Sequence, residues 1–367
     1  LLGMERTVFY GGVVVMFGHL SLAILPGLFG VAAGLVLIAL GSGALKANAS
    51  SLLGTLYDEG DARRDGGFTL FYLGINLGAF VGPLITGLLQ TNLGFHYGFG
   101  AAAVGMALGL AQYVVFRRNL GEHGRTVPNP LPRSAYWRMA VVAVVVVAVI
   151  VVAFTTGVVK LANLSQVTTG VIIVASIAYF AVMLTSSRVD ALERTRVRAF
   201  IPLFLANAVF WSLFQQIFTV LAVYSDERMN WSIFGWTAPS SWIGSIEPVW
   251  IILLSPLFAL MWTKLGRRAP TTPRKFAYGV IGMGLAFMLF LTMAGSSGRT
   301  VPVLVVVAIL AVFAVSELML SPIGLSVTTQ LAPNAFRAQM MALYFFSVGL
   351  GTSMSGVLAR YYDPDHE

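Results

Sequence analysis

Hydrophobic residues arrive in long runs separated by short polar connectors. A membrane-spanning helix needs about 20 mostly apolar residues. By that measure ten runs predict spans, at roughly 7–25, 30–56, 68–90, 96–116, 137–159, 167–186, 199–224, 242–263, 276–295 and 301–331, and an eleventh follows at about 335–359. Several are long enough to tilt or to extend beyond the hydrocarbon. The runs differ in character. Residues 140–153 read AVVAVVVVAVIVVA, without a polar side chain, and together with the next run predict a lipid-facing, structural pair. The flanking segments are richer in Gly, Ser and scattered polar residues, as expected of helices that line a cavity.

The charges test this map. If the chain begins on the cytoplasmic side and each run crosses once, 18 of the 23 Lys and Arg residues fall in cytoplasmic connectors. Only Lys160, Arg228, Arg299 and Arg360 fall on the opposite side, and Lys46 lies inside a run. One miscounted crossing would exchange the sides of every later connector, so a bias of this size supports the order of spans. The same placement disposes of the net charge of +8 as a nucleic-acid signal, because the cations orient spans rather than form a binding face.

Composition agrees with a bilayer as solvent. Mean hydropathy is +0.82, with 57% of the 367 residues hydrophobic and 10% charged, against about 25% charged in soluble domains. The lack of cysteine excludes disulfides, thiolate metal sites and a Cys nucleophile. The chain opens on Leu1 rather than Met and starts and stops in polar connectors, ending Asp363-Pro364-Asp365-His366-Glu367, so it is expected to be part of a longer protein.

Three charges lie at clear membrane depth: Lys46, Glu247 and Glu317. An ionisable group there costs about 2.5–3.5 kcal/mol on insertion scales, so such groups usually face a cavity and serve function. The alternative is a structural ion pair within the bundle. The stretch Gly41–Leu89 holds most of the remaining signal. It starts GSGALKANASSLLGTLY, passes through DEGDARRDGG and enters FTLFYLGINLGAFVGPLITGLL. Tyr72 and Asn76, four apart, share one helix face, whereas Gly74, Gly78 and Gly82 form a row on a nearly opposite face that would permit close packing. The loop residues Asp58, Glu59, Asp61 and Asp65 alternate with Arg63 and Arg64 and read as an ion-paired, solvated loop rather than a calcium site. His19 reads as an interhelical hydrogen-bonding residue; His96, His123 and His366 fall in connectors without metal spacing.

FTLFYLGINLGAF (Phe68–Phe80) resembles the signature of the proton-dependent oligopeptide transporters of the major facilitator superfamily. The likeness continues in Phe210-Trp211-Ser212-Leu213-Phe214-Gln215-Gln216, in Ser245-Ile246-Glu247-Pro248, in Ser316-Glu317-Leu318-Met319-Leu320-Ser321-Pro322-Ile323-Gly324 and in the Ala332-Pro333 turn. The resemblance implies an all-α polytopic membrane protein with the two-bundle major facilitator fold, two extra helices between the bundles, and incomplete at both ends. Residues 1–118 would be helices 3–6 of the family, 119–198 the basic connectors with the inserted pair, and 199–367 helices 7–11. It further implies alternating-access symport of protons with di- and tripeptides across a bacterial cytoplasmic membrane, by a monomer without metal or cofactor.

A short peptide is a zwitterion, so its carboxylate needs a cation and its amino group an acid. The resemblance puts Lys46 and Glu317 at these two poles, with Tyr72 and Asn76 holding the peptide backbone and Trp211 and Phe214 walling the side-chain pocket. Ser321, one turn after Glu317, would share its face. Glu317 and Lys46 are the expected proton-coupling residues. Three departures from the family pattern stand out. The acidic and arginine motif of its first helix would precede residue 1. Gln215 stands where many relatives have an acid, which moves coupling toward Glu317. Glu247 precedes Pro248 where the family usually has Asn, adding either to the amino-terminal pole or to the protonation sites.

Other classes fit less well. No His pair, HExxH run or nucleophile motif occurs in any span, which argues against an intramembrane enzyme, and no ring of like charges suggests a channel. A facilitator-type carrier of another solute, such as nitrate or a drug-like compound, remains the competing reading. The acid at Glu317 would oppose a simple anion.

Overall fold

A computed structural model describes residues 3–54, 56, 64–121, 132–233, 235–265, 268–293, 298 and 300–363. The chain divides into two compact units, Leu1–Val151 and Val152–Glu367. In the first are α1 (Met4–Ile24), α2 (Gly27–Gly54), α3 (Arg64–Leu93) and α4 (Phe95–Phe116), and α5 (Arg133–Thr155) crosses the boundary. The second contains α6 (Leu164–Thr185), α7 (Ala191–Phe214), α8 (Val220–Glu227), α9 (Ile243–Leu265), α10 (Thr272–Phe290), α11 (Val303–Leu331) and α12 (Arg337–Leu358). Two small ribbons join helix ends: β1 (Met229–Asn230) runs parallel to β4 (Val301–Pro302), and β2 (Ser232–Ile233) antiparallel to β3 (Trp236–Thr237).

Among the described residues, 10 helical passages are long and apolar enough to cross a membrane. Hydrocarbon offers no partner to a peptide N–H or C=O, so a chain of this composition folds into helices that satisfy those groups internally. Its hydroxyls follow the same rule and bond back to their own helix. Thr86 donates to the Gly82 carbonyl at 3.0 Å and Thr328 to that of Gly324 at 2.7 Å. At the start of α7 the Asp190 carboxylate accepts from the Glu193 amide at 2.7 Å, while the Glu193 carboxylate accepts from the Asp190 amide at 3.2 Å. This capping box satisfies two amides at a helix end and is legible as Asp-x-x-Glu.

In the first unit, α1 packs along α2 through glycines. A Cβ on Gly41 would stand 2.6 Å from the Gly11 carbonyl oxygen, and one on Gly18 would stand 2.9 Å from that of Gly34. Gly11 and Gly18, and Gly34 and Gly41, are seven apart, which repeats a close approach every two turns on each helix. Buried Val15 and Leu22 fill the space along the same stripe. α4 closes on α1 at both ends. The Tyr113 hydroxyl donates to the Glu5 carbonyl at 3.2 Å, a guanidinium nitrogen of Arg117 lies 4.0 Å from the Glu5 carboxylate, and Nδ1 of His96 is 3.1 Å from the Leu22 carbonyl oxygen. His96 therefore belongs to the first turn of α4 and not to a connector.

The glycine row of α3 departs from expectation. Among the described residues, a Cβ on Gly74, Gly78 or Gly82 would meet no atom within 4 Å. α3 instead meets α4 where Gly98 approaches the Thr86 carbonyl oxygen, with an added Cβ at 3.1 Å. A glycine row permits close packing, but only a partner helix makes it happen. The loop residues Asp58, Glu59, Asp61 and Arg63, along with His123 and His366, lie outside the described residues, and the side chains of Arg64 and Asp65 are likewise not described.

The core of the second unit is aromatic. Phe210 and Phe214 on α7, Phe287 on α10 and Phe313 on α11 belong to one cluster. α10 comes close to α11 at Gly279 and Gly282, both against Ser316, and α12 comes close to α7 at Gly351, where a Cβ would stand 2.6 Å from that of Trp211. α6 joins α12 through hydroxyls, Ser353 donating to the Ser165 carbonyl at 2.9 Å, and through Arg360, which donates to the Ala162 carbonyl. The predicted continuous span 199–224 is broken. Residues Gln215–Phe218 form a tight 3-10 turn, Thr219 adopts φ −124° and ψ −93°, and α8 completes the passage. Gln216 makes the break tolerable. Its amide donates to the Ser212 carbonyl at 3.2 Å and its side-chain oxygen accepts from Thr219 at 2.7 Å. Hydropathy cannot detect such a break, because the residues on both sides stay apolar.

Replacing Gly41 with Leu should destabilise the first unit by about 1–3 kcal/mol, the usual range for overpacking. The measurement is thermal unfolding of the full-length protein in detergent. Gly105→Ala, whose added carbon meets nothing within 4 Å, should leave the midpoint nearly unchanged.

Candidate functional site

The second unit brings two of the predicted acids together. α9 packs on α11 through Ile251, Ala314 and Leu318, with Trp250 beside them donating its indole N–H to the Val307 carbonyl at 2.9 Å. Ile251 lies one turn after Glu247, and Ala314 and Leu318 flank Glu317, so this contact sets the two acids against each other. Their carboxyl groups interact directly, and the Ser321 hydroxyl lies next to that of Glu317. Glu247 is only 7% exposed, and Glu317 is half-buried. Two carboxylates in contact repel, and a proton or a cationic group between them removes the repulsion.

Buried polar atoms without partners occur in this group and on α7. Oε1 of Glu247, Oγ of Ser321 and Nε1 of Trp211 are all buried without a hydrogen bond. Most buried polar groups in proteins are satisfied, so each exception asks for an explanation, and a ligand or proton is one. Tyr344 on α12, buried, packs across the backbone of Gly324, within electrostatic reach of Glu317.

Trp211, Phe214 and Gln215 lie on α7 and the turn that follows it, on two different faces. Asn207, Trp211 and Gln215 are spaced by four and meet α12: the Asn207 amide donates to Ser347 at 2.6 Å, Gly351 admits Trp211, and the Gln215 amide donates to Thr352 at 3.1 Å. Phe214 turns toward α11, its ring 6.5 Å from that of Phe313, and packs edge-on to Trp211 with centroids 5.1 Å apart. Trp211 and Phe214 thus touch one another, while Gln215 is engaged with α12.

The remaining residues belong to the first unit. Lys46 lies on α2 with an exposed side chain. Tyr72 and Asn76 lie on α3; Asn76 is buried, and the Tyr72 side chain is outside the described residues. Among the described residues, no cluster of His, Asp and Glu could hold a metal.

Comparison with known proteins agrees with the family resemblance read from the sequence. The model of the POT family matches residues 5–365. The chain belongs to the POT family. It is 41% identical over 364 residues to the uncharacterized transporter YclF of Bacillus subtilis, an alignment covering 98% of this chain and 74% of that one. To a di-/tripeptide transporter of Lactococcus lactis subsp. cremoris it is 39% identical, covering 95% of this chain and 72% of the relative. Among solved structures, a peptide transporter POT in complex with sulfate matches with a TM-score of 0.93 and 43% identity, covering 100% of this chain and 75% of that one. A POT family transporter in complex with 5-aminolevulinic acid matches at 0.90 and 34%, covering 98% and 76%.

This POT-family chain is a multi-pass membrane transporter with the all-α major facilitator fold, and its family makes it a carrier rather than an enzyme. Sequence reading passed over Tyr344 and the Asn207–Ser347 pair. Asn207, an amide within an apolar run and one turn before Trp211, was the available signal.

Polar contacts between membrane helices are worth about 0.6 kcal/mol on average and at most about 1.7 kcal/mol. A double-mutant cycle of Asn207→Ala and Ser347→Ala, read by thermal unfolding in detergent, should give a coupling in the upper half of that range, because the bond is short and buried.

Proposed function

We propose that this protein carries di- and tripeptides together with protons across a bacterial cytoplasmic membrane, by alternating access and as a monomer. The observation that carries the reading is the acid Glu317 in the middle of an apolar helix, with Glu247 and Ser321 beside it. An acid so placed suits a substrate that brings its own ammonium group, and its charge can answer to that substrate's presence. An anion carrier would put negative charge against negative charge. The names of similar proteins support the peptide substrate: the Lactococcus lactis relatives are di-/tripeptide transporters, and one of Yersinia enterocolitica is a peptide transporter, 33% identical over 383 residues.

In this reading Glu317 holds the peptide amino group and Lys46 its carboxylate. Tyr72 and Asn76 bond its backbone, and Trp211 and Phe214 bound the side-chain pocket. Gln215 and Ser321 add polar contacts. Coupling runs through Glu317 and Lys46: the charge of Glu317 answers to peptide occupancy, so that proton and peptide cross in the same step and conformational change is tied to both. Residues 1–118 and 199–367 serve as the moving bundles, and 119–198 connects them.

The test is dialanine uptake by the full-length protein in proteoliposomes. An inward proton gradient should drive accumulation above the external concentration. Glu317→Gln should lose that uphill accumulation while retaining downhill exchange of dialanine. Folded protein that accumulates no di- or tripeptide would return the assignment to a carrier of another solute.

A further inference from the structure

In the cycle proposed above, Glu317 meets two demands at once. As the counter-ion of an ammonium it must be ionised, and as the holder of a proton it must be neutral. One carboxyl cannot be both in a step where proton and substrate cross together. We propose that Glu247 is the proton carrier of that step: it keeps the proton while Glu317, ionised, holds the cationic group of the substrate. The identity of that group as a peptide ammonium rests on the function proposed above.

The geometry carries the assignment. Glu247 sits in the second turn of α9 and Glu317 midway along α11, and the packing of Ile251 against Ala314 and Leu318 brings their carboxyls within hydrogen-bond reach of each other. An ionised carboxylate only accepts, so a hydrogen bond between two carboxyls needs a proton on one of them. The surroundings decide which one keeps it. Beside Glu317 stands the Ser321 hydroxyl, which can donate to an ionised carboxylate. Glu247 has its Oε1 buried without a partner, and Pro248 has no N–H to give the Gly244 carbonyl, which adds an acceptor within one turn of Glu247. An ionised Glu247 would leave a buried charge short of donors, whereas a protonated Glu247 is itself a donor to Glu317.

The step balances. A proton from the outer solution first bridges the two carboxyls. When the ammonium arrives it takes the charge of Glu317, and the proton stays on Glu247. Reorientation carries both, and both leave to the cytoplasm, so one proton and one substrate have crossed in the same direction. Tyr344, from α12, is a titratable side chain that reaches Glu317. Charged groups farther off on the elements packed around the pair are engaged at helix ends. Glu193 caps α7, Arg194 donates to the Ser186 carbonyl at 3.0 Å, Asp226 at the end of α8 accepts from Ser240 at 2.9 Å, and Lys275 at the start of α10 lies 4.0 Å from the centre of the Trp262 ring.

The experiment follows dialanine in proteoliposomes of the full-length protein, wild type beside Glu247→Gln, both as accumulation driven by an inward proton gradient and as downhill exchange. Wild type should concentrate dialanine inside. Glu247→Gln should bring it only to the outside concentration while losing far less of its downhill exchange, because Glu317 still receives the ammonium. A Glu247→Gln protein that concentrates dialanine as wild type does would overturn the proposal and leave the peptide reading intact. One shown by thermal unfolding to be folded, yet losing exchange as completely as accumulation, would overturn it too, since Glu247 would then bind substrate rather than carry the proton. A wild type that concentrates no dialanine would overturn the peptide reading and this proposal with it. Infrared spectroscopy of wild type in lipid reads the proton without any substitution, because protonated carboxyls absorb apart from carboxylates. The carboxylic-acid band should persist when dialanine is added, and its loss would overturn the proposal.

Discussion

Hydrocarbon supplies no hydrogen-bond partner, and the architecture of this chain follows from that constraint. Backbone groups are satisfied within helices, and serine and threonine hydroxyls return to carbonyls a turn earlier, as Thr86 and Thr328 do. Once lipid solvates the apolar side chains, helix association depends on close packing rather than on escape from water. Small residues then decide where helices meet: Gly11, Gly18, Gly34 and Gly41 between α1 and α2, Gly279 and Gly282 between α10 and α11, and Gly351 between α7 and α12. Even the interruption of the seventh passage obeys the rule, because Gln216 and Thr219 supply polar groups where helical bonding lapses.

Against that background the acids stand out. Where most buried polar groups are matched, Glu247, Ser321 and Trp211 each keep one that is not. A membrane protein tolerates such a cost where a ligand meets it part of the time. The cluster beneath the acids is small and apolar, with Ile251, Ala314 and Leu318 holding α9 to α11, so the pair rests on rigid packing rather than on a polar network. Trp211 and Phe214 extend from the same unit on α7, in contact with each other. Tyr344 and the Asn207–Ser347 bond fix α12 to the helices that bear them.

Much of this was legible in the residues. The order of apolar runs matched the helices, because crossing a bilayer depends on the summed hydropathy of one segment. Family membership followed from FTLFYLGINLGAF and from the short runs around Trp211, Glu247 and Glu317. The capping box at Asp190 could be read directly, since both partners lie within four residues. What failed were the inferences that needed a partner. Gly74, Gly78 and Gly82 have the spacing of a packing face and pack against nothing among the described residues, while the unremarked Gly11 and Gly41 are in backbone contact with one another's helices. The bond from Gln215 to Thr352 likewise joins residues far apart in the chain.

By itself, the sequence determined that this is a helical membrane protein, where its chain crosses, which ionisable side chains are placed at depth, and to which family it is similar. These depend on composition and on residues adjacent along the chain. The tertiary structure alone decided that Glu247 meets Glu317, although 70 positions separate them in the numbering, that α7 breaks at Gln215, and which glycines touch. Each of these requires two surfaces to face one another, and the direction in which a helix presents its residues is set by every helix packed around it.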